Sequence, residues 1–292
     1  MSNAYARLAI PAALIGLLPI APAMAADTTF FSTGATDGKM ATASRPSSAG
    51  KFEIESGDDF VLTGLTSITS ATFTGLLTGN ASVGEVRVEI YRVFPKDSDT
   101  SRTPNVPTRA NSPSDVEFDD RDSASGNLNF MTTDLGMSSV LNSVQPGGIH
   151  GCPCPPAPTT GGDGSLTGEE VAFDVNFTTP FVLPADHYFF VPQVEVTDPA
   201  GNFFWLSAPR PIVPPGTPFP MGFTDLQSWT RDEMLAPDWL RVGGDIVGGS
   251  PAPTFNAVFS LTGTPVPEPA SLSLLALALT GLGAVRVRRR HR

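Results

Sequence analysis

The stretch Glu85-Val86-Arg87-Val88-Glu89-Ile90-Tyr91 decides the fold. Polar and apolar side chains alternate there with a period of two, the signature of a β-strand with one buried and one wet face. The pattern recurs downstream, where Val171, Phe173, Val175 and Phe177 alternate with Ala172, Asp174 and Asn176. Phe60-Val61-Leu62, Ala71-Thr72-Phe73, Tyr188 to Val196, Asn202 to Ser207 and Phe255 to Leu261 extend the series to about eight to ten short strands. Only Asp225 to Leu240 has room for a short helical turn.

Composition agrees. The 292 residues include 28 Gly and 29 Pro, natural for an all-β protein with many turns, and 40% of the chain is hydrophobic, enough for a core. The sequence therefore predicts an all-β, two-sheet, jelly-roll-like sandwich. Three long loops interrupt it: Pro95 to Asn127, Gln145 to Gly168, and Pro209 to Pro220, the last with six prolines in twelve residues.

Both ends of the chain read as addresses. Arg7 precedes an uncharged apolar run from Leu8 to Ile20, and Ala23-Met24-Ala25 then offers small residues to a signal peptidase. The expectation is a signal peptide over 1–25, cleaved between Ala25 and Ala26. At the other end no residue from Pro269 to Val285 is charged, a run of 17. As a helix it is about 25 Å long, slightly less than the hydrocarbon core it must cross. Arg286, Arg288, Arg289, Arg290 and Arg292 follow and favour keeping that end in the cytoplasm. The reading is a secreted body, 26–264, ahead of a weak transmembrane stop within 265–292.

Three parts in order, Val266-Pro267-Glu268-Pro269, a Leu/Ala/Gly helix and a terminal arginine cluster, resemble the PEP-CTERM sorting signal. The resemblance covers about the last 27 residues. It implies recognition at Pro267, Glu268 and Pro269 by exosortase, a membrane-embedded cysteine transpeptidase typical of Gram-negative bacteria that make exopolysaccharide. Two prolines hold such a segment extended and strip it of amide donors, which suits a strand-like peptide in a protease groove. A looser resemblance joins Phe181-Val182-Leu183-Pro184-Ala185-Asp186-His187-Tyr188-Phe189-Phe190 and Phe203-Phe204-Trp205 to bacterial secreted β-sandwich ectodomains; it implies a fold and no activity.

Removing both addresses leaves 12 basic against 28 acidic residues, a net charge of −16 over 26–267. That charge excludes nucleic acid as a partner and suits a hydrated matrix. Catalytic signals are sparse. No Gly-x-Ser-x-Gly occurs, Ser165 lies between Asp163 and Thr167, and His187 and His150 are the only histidines in the body. His187 opens a strand, where a structural hydrogen bond explains it. Cys152 and Cys154 stand beside His150, and a strained local disulfide, free thiols and a metal or redox site all remain open. Asp115, Glu117, Asp119, Asp120 and Asp122 offer five carboxylates to calcium without the EF-hand spacing, against the alternative of a solvated acidic loop. Trp229 and Trp239 sit in polar surroundings and suggest a sugar platform, against the alternative of core packing.

The expectation is a non-enzymatic exported protein of the cell surface or exopolysaccharide matrix, with no cofactor beyond that candidate calcium. Its partners would be signal peptidase, exosortase and extracellular polysaccharide, with transient anchoring in the inner membrane. The alternatives are a secreted carbohydrate-binding module and, less favoured, a secreted hydrolase.

Overall fold

The computed structural model describes residues 26–48, 50–79, 82–101, 110–145, 159–209, 222–233 and 239–267. In chain order the strands are β1 (Thr28–Ser32), β2 (Met40–Ala43), β3 (Ile54–Leu62), β4 (Thr66–Leu77), β5 (Val83–Arg92), β6 (Asp119–Asp122), β7 (Leu128–Val140) and β8 (Asn142–Val144). Then come β9 (Leu166–Leu183), β10 (Asp186–Val196), β11 (Phe203–Ala208), β12 (Trp229–Asp232), β13 (Leu240–Arg241), β14 (Asn256–Ala257) and β15 (Phe259–Pro265).

Two sheets form a sandwich. The nine-stranded sheet runs β1-β15-β4-β11-β2-β8, with β9 joined to β4, β7 to β9 and β14 to β11. The six-stranded sheet runs β13-β12-β3-β10-β5-β6. Pairing is antiparallel except between β2 and β8. β4 is the spine of the larger sheet: β9 flanks it from Thr66 to Leu77 on one side, and β15 and then β11 share the other. At Gly75 a side chain has no room, because a Cβ would stand 2.1 Å from the Phe203 ring.

The inner faces meet through aromatic residues. Phe73 stacks on Phe173 at 4.8 Å, Phe190 on Phe259 at 5.1 Å, and Trp205 packs against both Phe190 and Phe259. Val171, Phe173, Val175 and Phe177 are all buried there, as the alternation in β9 requires.

The expectation for β5 holds on one face and fails on the other. Val86, Val88 and Ile90 are core residues, but Glu89 and Tyr91, expected on a wet face, are 3% and 1% exposed. The reason is a third layer. Leu226 and Trp239, on either side of β12, lie over the outer face of the six-stranded sheet and cluster there with Trp229, Tyr91, Phe189 and Val191. The stretch from Asp225 to Leu240 is not a helical turn in its described part: residues 229–232 pair with β3 in register, Trp229 opposite Gly57 and Arg231 opposite Glu55. The short helical segment lies later, a π-helical turn at Val242–Val247. The loop expected from Pro95 to Asn127 also contains a strand, β6, on the edge of the six-stranded sheet.

Among the described residues no helix is long and apolar enough to cross a membrane. The signal-peptide segment 1–25 and the apolar run 269–285 with its arginines lie outside the described residues.

Candidate functional site

The outer face of the six-stranded sheet concentrates the buried charge. Strand alternation brings Glu55 from β3, Glu89 and Tyr91 from β5, and Arg231 from β12 to one patch. Arg231 forms a two-pronged ion pair with Glu55, its Nη2 donating to Oε1 at 3.0 Å and its Nε to Oε2. It also donates from Nη2 to the Tyr91 hydroxyl at 3.0 Å and from Nη1 to the Asp115 carbonyl at 3.0 Å. The guanidinium lies over the Trp239 ring at 4.6 Å, and Trp239 Nε1 donates to the Ser114 carbonyl at 3.0 Å.

The protons can be placed. Tyr91 donates its single hydroxyl proton to Glu55. The same hydroxyl lies 3.2 Å from Glu89 Oε2. Burial, with Glu55 and Glu53 adding repulsion, pushes Glu89 up to about 9, which favours its neutral form. Burial also raises the Tyr91 hydroxyl far above its ordinary range. Two neighbouring carboxyls, Glu55 and Glu89, resemble the pair used in glycoside hydrolysis. Here both are sealed: the side chains of Glu55 and Glu89 are 8% and 3% exposed. The patch therefore ties β3, β5 and β12 to the covering layer.

A second group lies along β3. Asp59 Oδ2 meets His187 Nε2 at 2.6 Å, and its Oδ1 accepts from the Leu226 amide at 3.1 Å. Burial pushes His187 down to about 4 despite Asp186 and Asp225 nearby. The contact joins β10, β3 and the covering segment, in line with the structural hydrogen bond expected for this histidine. Asp58, on the opposite face, accepts from the Ala257 amide at 2.7 Å, and burial holds it well above the usual carboxylate range.

Trp229 and Trp239 are each 2% exposed, and their indole N–H groups donate to the Leu226 and Ser114 carbonyls. A sugar ring needs an open aromatic face, so these rings act as core and the expected platform is corrected. The acidic loop is likewise dispersed. Asp115 accepts from the Asp99 amide, Asp119 pairs with Arg121, and Asp120 and Asp122 point from the other face of β6. Among the described residues no group of three or more His, Cys, Asp or Glu is placed to hold a metal ion. Cys152, Cys154 and His150 lie outside the described residues.

Sequence reasoning missed Glu55 and Arg231. The usable signal was a pair of strands whose polar positions could match in opposite charge, but these partners are 176 residues apart.

The C-terminal junction is built into the sheet. β15 lies between β1 and β4, with Thr264 opposite Ser67 and Pro265 opposite Thr66. The ladder continues one residue further, as the Val266 amide donates to the Leu65 carbonyl at 2.8 Å. Gly263 permits this close pairing, since a Cβ there would stand 2.1 Å from the Ser67 carbonyl oxygen. From this strand end onward, residues 265–290 match the PEP-CTERM protein-sorting motif. The C-terminus is a PEP-CTERM sorting motif. A PEP-CTERM motif marks an exported protein sorted through the membrane by an exosortase. Val266 and Pro267 are the motif residues whose structure is described; Glu268, Pro269 and the arginines lie beyond. No curated protein and no solved structure matches the chain.

Proposed function

We propose that the chain is a non-enzymatic structural protein of the cell surface or extracellular polysaccharide matrix. It would be exported after signal-peptide cleavage behind Ala25, held briefly in the inner membrane, and released from its C-terminal tail by an exosortase-type transpeptidase. The observation that carries this reading is the junction: the PEP-CTERM match starts at Pro265, still within β15. The sandwich thus leads into its sorting signal without a linker. The sealing of Glu55, Glu89 and Tyr91 behind Trp239 favours a structural body over a hydrolase.

The test is to express the full chain with and without the transpeptidase, fractionate the cells and map the C-terminal peptide by mass spectrometry. The expected product lacks Arg286 to Arg292 only when the enzyme is present, and retains β15 through Val266, because removing an interior strand would open the sheet. Full-length chain in the inner membrane under both conditions would overturn the reading.

A further inference from the structure

In this acidic body nearly every described cation has an acidic partner. Seven of the nine described Lys and Arg side chains lie within 4 Å of a carboxylate. The two that do not, Arg45 and Lys51, line the same surface concavity of about 290 Å³. Arg45 is 5% exposed, and its nearest acidic influence, Asp232, stands beyond ion-pair distance.

The donors around it are partly committed. Arg45 Nε donates to the Phe52 carbonyl at 3.1 Å, Nη1 to Asn202 Oδ1 at 3.0 Å, and the guanidinium lies over the Phe52 ring at 5.3 Å. Its Nη2 has no hydrogen bond among the described residues. Because Asn202 Oδ1 faces Arg45, the Asn202 amide nitrogen is left for another acceptor. Lys51 Nζ is held by the carbonyls of Asp198 at 2.8 Å, Gly201 at 2.5 Å and Val196 at 3.5 Å, so it contributes charge more than direction. Burial and the charge of Arg45 press the Lys51 ammonium below its ordinary value despite Asp198 and Glu195, and burial lowers Arg45 despite Asp232. Each of these shifts is relieved by an anion.

The lining also carries one carboxylate, Asp163, whose Oδ2 accepts from the Gln145 amide at 2.9 Å. Its other oxygen can accept from a hydroxyl. The volume sits at the lower edge of small-molecule sites, room for about one sugar ring. We propose that this concavity binds a hydroxylated carboxylate of monosaccharide size, a sugar acid, with its carboxylate toward Arg45 and Lys51 and a hydroxyl toward Asp163. The inference does not depend on the matrix role.

The full chain in detergent micelles can be titrated with glucuronate, glucose, acetate and sulfate and followed by ligand-observed NMR. Glucuronate is expected to bind at least about tenfold tighter than each of the other three. Lys51→Gln should weaken glucuronate about tenfold in protein that circular dichroism shows to be folded. This variant carries the test if Arg45→Gln fails to fold. Asp163→Asn should weaken glucuronate and not acetate. The proposal is overturned if glucose or sulfate matches glucuronate, if Lys51→Gln binds as the parent does, or if glucuronate does not bind.

Discussion

The two faces of β3 are both buried, yet they are held by different physics. Phe60 and Leu62 face the nine-stranded sheet and pack among aromatic rings. Glu55, Gly57, Asp59 and Val61 face the covering layer, where cohesion comes from matched charges and hydrogen bonds. Apolar burial is non-directional and adds up over area. A buried ion pair is close to neutral as a whole but expensive to break, because each half leaves the other unpaired. The inner face should therefore lose stability in proportion to volume removed, and the outer face in proportion to charges orphaned.

The largest effect should come from the inner face. Phe190 stacks on Phe259 and touches Phe73 and Trp205. Phe190→Ala should cost about 4 kcal/mol, measured as a lowered urea midpoint with an unchanged slope. A loss below about 1 kcal/mol would mean that this interface is not the main core.

On the outer face Arg231→Met should cost about 3 kcal/mol, because it strands Glu55 beneath Trp239. Adding Glu55→Gln removes the orphaned charge and should recover at least half of that loss. Such recovery has no counterpart on the inner face, where a second truncation enlarges the void. If the two outer changes were simply additive, the faces would not differ as described.

How far this was legible in the sequence follows the same division. The inner face could be read because period-two alternation in β5 and β9 needs only local residues, and the structure keeps Val86, Val88, Ile90, Val171 and Phe173 inside. The outer face could not. Glu55, Asp58 and Asp59 break the apolar pattern of β3, so only Phe60 to Leu62 read as strand, and their partners Arg231, Ala257 and Leu226 lie some 170 to 200 residues away. β7 was hidden for another reason. Its residues Met131 to Met137 are exposed on both sides at the sheet edge, so neither face imposes an alternation. The sorting motif was legible because it acts as a linear peptide; its continuity with β15 was not, since the pairing with β4 is a tertiary fact.

The smallest effect is the most discriminating, because it asks whether an acidic residue on the outer face is a charge at all. Glu89 keeps its proton up to about pH 9 in the folded protein, against an ordinary value of 4.5. Between those values folding takes up a proton that the unfolded chain lacks, so stability falls as pH rises through the window. Below about pH 4.5 both states are protonated and the effect vanishes. Glutamine copies the shape and the donor of the neutral acid without the titration. Glu89→Gln should therefore change stability by less than about 1 kcal/mol at pH 5, and at pH 8 it should be more stable than the parent. Denaturation midpoints at the two pH values measure this directly. A variant weaker than the parent at pH 8 would show Glu89 ionised and paired with Arg87, whose Nη1 lies 3.5 Å from its Oε1, and would turn the outer face from a proton-sharing patch into an ordinary ion-pair network.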